Sequence, residues 1–211
     1  MLENGEETKG GIPRAEARRR QVIDAAAKCF RRDGFHSASM AQIAAEAGMS
    51  VGHIYRYFTG KESIIAAIVR DEIDYVLSRF PITAASIEDV PGILRENGRE
   101  AVRQAYNLEW STLMLEVRAE AGRNPAVAAI VQAADAEIAA RVGELIVAGF
   151  VSGTVPRDIE QRIEMLGMAI EGITFRAVAC PDMNPRYAEA LIDLVIDNIF
   201  APELQSSGGQ G

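Results

Sequence analysis

Cysteine and histidine are scarce in this chain of 211 residues, with two of each. Cys29 and Cys180 lie inside apolar helical patterns with no second ligand-type residue at metal spacing. They read as buried free thiols in a reducing cytoplasm, and a disulfide framework is not expected. His36 and His53 both fall near the N-terminal end, and no nucleophile-base pairing or metal-spaced cluster is visible. Neither enzymatic activity nor a metal or cofactor is therefore expected. Long apolar runs are missing as well. The longest, Leu145 to Val151, is too short to span a bilayer, and the opening MLENGEETKGG has no apolar core of secretory type. Alternating strand patterns never exceed three or four residues, so no sheet is expected. A dinucleotide-binding glycine pattern is absent, and Gly60-Lys61 lacks the loop and following hydroxyl that a phosphate loop requires.

What is present suits a globular helical protein: 48% hydrophobic and 25% charged residues, with a net charge of -8. The charge is unevenly spread. Residues 11–60 hold eight basic side chains against four acidic ones, whereas residues 61–211 hold 13 against 23. A short basic head on a long acidic body implies that only the head meets a polyanion.

Punctuation along the chain delimits the helices. Residues 1–12, rich in glycine and charge, read as a mobile arm. Val22, Ile23, Ala26, Ala27 and Phe30 recur at helical spacing within a first helix over 14–33, which Gly34 closes. Ser39 and Gln42 form a capping box that opens a two-turn helix ending before Gly48. Ser50 caps a third helix expected over Val51 to Phe58, and Thr59 to Glu62 opens a fourth that Pro81 stops. Further helices are expected at 87–105, 107–122, 125–150, 158–180 and 185–201. Asn124-Pro125 and Asn184-Pro185 each supply an N-cap followed by proline at the first helical position. The tail 202–211 reads as disordered. The fold class is all-α, with a three-helix head over 13–60 and a helical body over 61–201.

Two short helices joined by Ala47-Gly48-Met49-Ser50 have the form of a helix-turn-helix unit, whose second helix enters the major groove with its N-terminal residues at base edges. Gly52 permits close backbone approach, His53 and Arg56 offer groups for base edges, and Tyr55, Tyr57 and Lys61 offer donors for phosphates. A solvated surface is the alternative for His53 and Arg56, and packing against the first helix for Tyr55. The run Arg18-Arg19-Arg20 is a solvated face that would add salt-dependent attraction beside DNA.

The series Phe30, Gly34-Phe35, Ile43-Ala44, Ala47-Gly48-Met49-Ser50, Gly52, Tyr55, Tyr57-Phe58 and Lys61-Glu62 closely resembles the signature of the TetR family of transcriptional regulators, with Met49 at the usual valine position. The resemblance implies a ligand-released repressor that binds a palindromic operator in double-stranded DNA as a homodimer. It places base contacts on Val51, Gly52 and His53 with Arg56 and phosphate contacts on Ser39, Tyr55, Tyr57 and Lys61, and Gln42 and Ser50 beside them complete the expected DNA-binding residues. It also implies dimerisation through the last two helices, for which Ile163, Leu166, Gly167, Ile170, Leu191, Leu194 and Val195 are the expected residues. Their periodicity serves burial within one chain equally well. A pocket for a small-molecule effector is expected in the body, with Tyr75, Tyr106, Trp110, Met114, Arg118, Met168 and Phe175 as liners, although aromatics and methionines at this spacing also build ordinary cores. Trp110 to Val131 resembles the body of the betaine-repressor subgroup. A body that binds a protein partner instead of a small molecule is the competing reading.

Overall fold

The computed structural model describes residues 14–80, 89–150 and 155–201, and among these it contains nine helices and no strand. The expected arm 1–12, the stop at Pro81 and the tail 202–211 lie outside the described residues. The chain divides into two compact units between Ile68 and Val69. That boundary falls inside a helix, eight residues beyond the expected division at 60/61. The reason is burial: Ile64, Ile65 and Ile68, on the first two turns of that helix, are buried within the first unit.

In the head, α1 (Arg14–Asp33) buries Val22, Ile23, Ala26, Cys29 and Phe30 along one stripe. It ends at Gly34, whose φ of 78° lies in the left-handed region that favours glycine, and whose N–H returns to the Phe30 carbonyl. The turn lets Phe35 swing back onto Phe30, with ring centroids 5.2 Å apart. α2 (Met40–Glu46) opens with the expected capping box: Ser39 Oγ accepts from the Gln42 N–H, and Gln42 Oε1 accepts from the Ser39 N–H at 2.8 Å. Gly48, at φ 61°, makes the turn into α3 (Val51–Ile54), and Gln21 Nε2 ties α1 to that turn through the Ala47 carbonyl at 2.6 Å.

α3 is shorter than expected. Arg56 and Tyr57 bond back three residues, to His53 and Ile54, so the chain tightens after one α-helical turn and carries Phe58 into the core. Ile43, Ile54, Phe58, Ile64 and Ile65 complete that core, each burial contributing about 1.5–3 kcal/mol.

α4 (Lys61–Ser78) crosses the unit boundary. The body continues with α5 (Val90–Ala105), α6 (Leu108–Ala121), α7 (Pro125–Ala148), α8 (Ile159–Ala179) and α9 (Pro185–Ile199). Asn124 and Asn184 cap α7 and α9 ahead of their prolines, as their sequence signatures require. α9 packs against α5 and α8, and α6 packs against α7 and α8. The core is apolar, with Leu94, Val102, Ile146, Leu166, Ile192 and Ile196 at its centre. Gly98 permits the close approach of α5 to α9, since a Cβ there would lie 2.4 Å from Ile192 Cγ2.

One buried cation closes this packing. Arg162 on α8 donates from one guanidinium nitrogen to the carbonyls of Asn198 (2.8 Å), Ile199 (3.3 Å) and Ala201 (2.7 Å), and from Nε to Asp158 (3.0 Å). The terminal carbonyls of α9 have no intrahelical donors, and they sit at the negative end of the helix dipole. A buried arginine satisfies both conditions.

Candidate functional site

The head presents the N-terminus of α3 to solvent. Ser50, Val51, Gly52, Tyr55 and Arg56 are exposed, while His53 and Tyr57 are half-buried. Ser50 Oγ accepts from the His53 N–H at 3.2 Å, which seats His53 on the first turn. The Tyr57 hydroxyl lies 3.4 Å from His53 Nε2, so one aromatic side chain braces the other. Nothing lies within 4 Å of a Cβ built on Gly52, so the head's own packing does not require glycine there. Ser39 and Gln42 are exposed at the start of α2, but the Ser39 hydroxyl donates to Gln42 Oε1 at 2.8 Å, which occupies its only proton.

Lys61 departs from expectation. Its ammonium donates to the carbonyls of Phe35 (2.6 Å), His36 (3.1 Å) and Ala38 (2.7 Å), and it stands 4.5 Å from the Phe35 ring centroid. All three N–H donors are therefore used inside the head. Lys61 ties α4 to the loop between α1 and α2 and is not a free cation for phosphate. The carbonyls cluster because that loop must turn sharply after Gly34, which is not legible from a Lys-Glu pair in the sequence.

In the body, a cavity of about 250 Å³ opens among α4, α5, α6, α7 and α8. Tyr75, Trp110, Met114 and Arg118 line it, as expected. The other three expected liners do not. Tyr106 turns the other way and donates its hydroxyl to the Met183 carbonyl at 3.1 Å. Met168 and Phe175 are 56% and 59% exposed on the outer face of α8, because their positions fall on the side of that helix opposite Leu166 and Ile173.

The cavity is mostly apolar, with polar groups that the sequence reading missed. Glu72 lies on α4, and its Oε2 accepts from Trp110 Nε1 at 2.8 Å and from Gln104 Nε2 at 3.1 Å. Burial pushes the Glu72 carboxyl above the ordinary range, and the two hydrogen bonds only partly offset this. The signal for Glu72 was present: it occupies the stripe Ile65, Val69, Glu72, Val76, where every neighbour is apolar. At the rim the Tyr75 hydroxyl donates to Glu100, an interaction that raises the phenol and, together with Arg103, lowers the carboxyl. Arg118 donates to both Asp135 oxygens at 3.2 Å and pairs with Glu171 at 3.0 Å.

The expected dimerisation residues divide into two groups. Leu166 and Val195 are buried in the core of the same chain, and Ile163 and Ile170 pack against it. Gly167, Leu191 and Leu194 are exposed. The exposed apolar stripe runs through Met165, Met168, Gly172 and Phe175 on α8 and through Tyr187, Leu191 and Leu194 on α9, at three- and four-residue spacing on both helices. Two apolar stripes therefore coexist on each helix, one packed within the chain and one exposed, and periodicity does not tell them apart.

Among the described residues, no group of three or more His, Cys, Asp or Glu is placed to hold a metal ion, and no helix is long and apolar enough to cross a membrane.

Residues 22–68 match the family model described as bacterial regulatory proteins, tetR family, and residues 94–201, just over half of the chain, match the one described as BetI-type transcriptional repressor, C-terminal. The chain is similar to the HTH-type transcriptional regulator UidR of Escherichia coli (strain K12), at 33% identity over 118 residues. That match covers 56% of this chain and 59% of UidR, less than two thirds of the relative's length. It is also similar to the HTH-type transcriptional repressor Rv1474c of Mycobacterium tuberculosis, at 25% identity over 187 residues, 87% of this chain and 93% of that one. Among solved structures, Salmonella enterica GusR superposes with a TM-score of 0.74 at 25% identity, covering 90% of this chain and 98% of its own. With its helix-turn-helix head and its helical body both matched, the chain belongs to the TetR family of bacterial regulatory proteins, with a C-terminal region of the BetI type.

Proposed function

We propose that this protein is a cytoplasmic transcriptional regulator, a ligand-released repressor that binds a palindromic operator as a homodimer. The observation that carries the reading is the N-terminus of α3, where Val51, Gly52, His53 and Arg56 stand on a capped first turn with Gly52 open on all sides. A helix presented this way enters the major groove with its first turn at base edges. His53 and Arg56 supply the base-edge hydrogen bonds, while Ser50, Tyr55 and Tyr57 supply phosphate contacts. Gln42 adds a phosphate contact from the start of α2 through its side-chain amide N–H groups, while both donors of Ser39 are engaged by Gln42 Oε1.

Dimerisation proceeds through the exposed stripe of α8 and α9, with Met168, Phe175, Leu191 and Leu194 at its centre. Support for this comes from their exposure, which leaves a continuous apolar surface of the kind that marks interaction sites. The body cavity holds a small-molecule effector, and its occupancy shifts the dimer toward a head separation that cannot span both half-sites. α4 carries the coupling, since a single helix holds both Lys61 in its first turn and Glu72 at the cavity.

The test is binding of the purified protein to the intergenic DNA beside its own gene across a salt series, with and without His53→Ala plus Arg56→Ala. Tight binding with a steep salt slope, lost in the double variant, is the expected result. Binding indifferent to the double substitution would remove the reading.

A further inference from the structure

The charges around the body cavity do not balance, and the imbalance sits at one residue. Glu72, Glu100, Asp135 and Glu171 line the cavity with Arg79 and Arg118. Arg118 serves Asp135 and Glu171 together, and Glu100 is held by Arg103, with Arg79 close enough to lower its carboxyl further. Glu72 has only neutral partners, the indole N–H of Trp110 and the amide of Gln104, and both bonds end on Oε2. No described residue donates to Glu72 Oε1.

A carboxylate in an apolar cavity without a cation is costly, and a protein tolerates the cost where the missing charge arrives with a ligand. We propose that the cavity takes a protonated amine carried on an apolar body, its N–H donating to Glu72 Oε1, an inference that rests on the effector reading of this cavity. The donor geometry favours an N–H-bearing ammonium over a quaternary one. Trp110 turns its N–H edge toward Glu72, so its ring face is not presented over the carboxylate. Size sets the body: an apolar cavity of ~150 Å³ accepts benzene, and this one, at about 250 Å³, has room for a ring with a short chain. Of the two cations at the cavity, Arg118 is already paired with two carboxylates, and Arg79 donates to Asn97 Oδ1 at 3.0 Å and stands over the Tyr75 ring, so neither serves Glu72.

The experiment titrates the full-length protein with phenylbutylamine, phenylbutanol and phenylbutyl-trimethylammonium, reading both the fluorescence of Trp110, the sole tryptophan, and calorimetric heats. The wild-type protein should bind the amine about tenfold or more tightly than the alcohol, and also more tightly than the quaternary ion. In Glu72→Gln, which keeps a carbonyl oxygen for Trp110 and Gln104, amine and alcohol should bind alike. Equal binding of amine and alcohol to the wild type overturns the proposal, as does an amine preference that survives Glu72→Gln, a quaternary ion that binds best, or silence of all three probes at millimolar concentration. The wild-type comparison remains decisive if the variant fails to fold. Operator release, measured in parallel, separates the two readings. An alcohol that binds as well as the amine and releases DNA leaves the effector reading standing without this one. An amine that binds through Glu72 but releases nothing does the reverse.

Discussion

At Gly52 an added Cβ meets no heavy atom within 4 Å, whereas at Gly98 it lies 2.4 Å from Ile192 Cγ2. The same Gly→Ala change should therefore have opposite signatures. Gly52→Ala should leave thermal unfolding unchanged, or raise it slightly through the unfolded state, while weakening operator binding about tenfold or more if the first turn of α3 enters the major groove as proposed. Gly98→Ala should cost about 1–3 kcal/mol from overpacking, read by denaturant midpoint. Lys61 supplies a third contrast. Lys61→Met leaves three carbonyls without their donor and should cost about 1–3 kcal/mol of stability, while the salt slope of DNA binding stays the same. A fall of about one in that slope would restore Lys61 to the phosphate contacts. Glu72 is a residue whose own burial works against folding. Its carboxyl is raised in the folded chain, so above the ordinary glutamate range the unfolded state ionises readily while the folded state pays for the charge. That penalty shrinks as pH falls through the folded value, and Glu72→Gln should raise the apo melting temperature at neutral pH by roughly 1–4 °C.

At the scale of the element, helix ends carry much of the specification. The Ser39–Gln42 box, the Asn-Pro caps and the glycine after α1 lie where the sequence places them, because each is a local exchange between a side chain and orphan backbone groups. The end of α9 is different. Its carbonyls are satisfied by Arg162, 36 to 39 residues away in the chain, and no local pattern reports that. Arg162→Met should destabilise the body by about 3–5 kcal/mol. Asp158, which Arg162 holds below the ordinary carboxylate range, adds a pH signature. Its contribution is complete above the ordinary aspartate value and is lost as pH falls through the lowered one, so the acid limb of the wild-type stability profile should flatten in the variant. The length of α3 is also a tertiary outcome: the periodicity runs on to Phe58, but burying Phe58 and Ile54 together tightens the chain after one turn.

For the whole molecule, the proposed homodimer makes the two apolar stripes of α8 and α9 distinguishable by mutation. Leu166→Ala should cost about 2–5 kcal/mol of stability, as a core truncation does, whereas Phe175→Glu with Leu194→Glu should leave secondary structure intact and yield a monomer by analytical ultracentrifugation. A dimer that survives the double change would move the interface elsewhere. Loss of operator binding in that monomer would follow from the twofold arrangement of half-sites.

The sequence by itself determined the all-α class, the nine helices of the described residues to within a few residues, and the helix-turn-helix head, because these rest on periodicity, caps and turn chemistry within a dozen residues of one another, while the signature from Phe30 to Glu62 carried the resemblance to the family. It also brought Tyr75, Trp110, Met114 and Arg118 to the cavity. Only the tertiary structure decided that Tyr106, Met168 and Phe175 face elsewhere, that Leu166 and Val195 are core, that Lys61 is tied down, and that a lone carboxylate at Glu72 meets Trp110 from 38 residues away. A helix with two apolar stripes gives one periodicity for two faces, and which stripe faces inward depends on where the other helices stand.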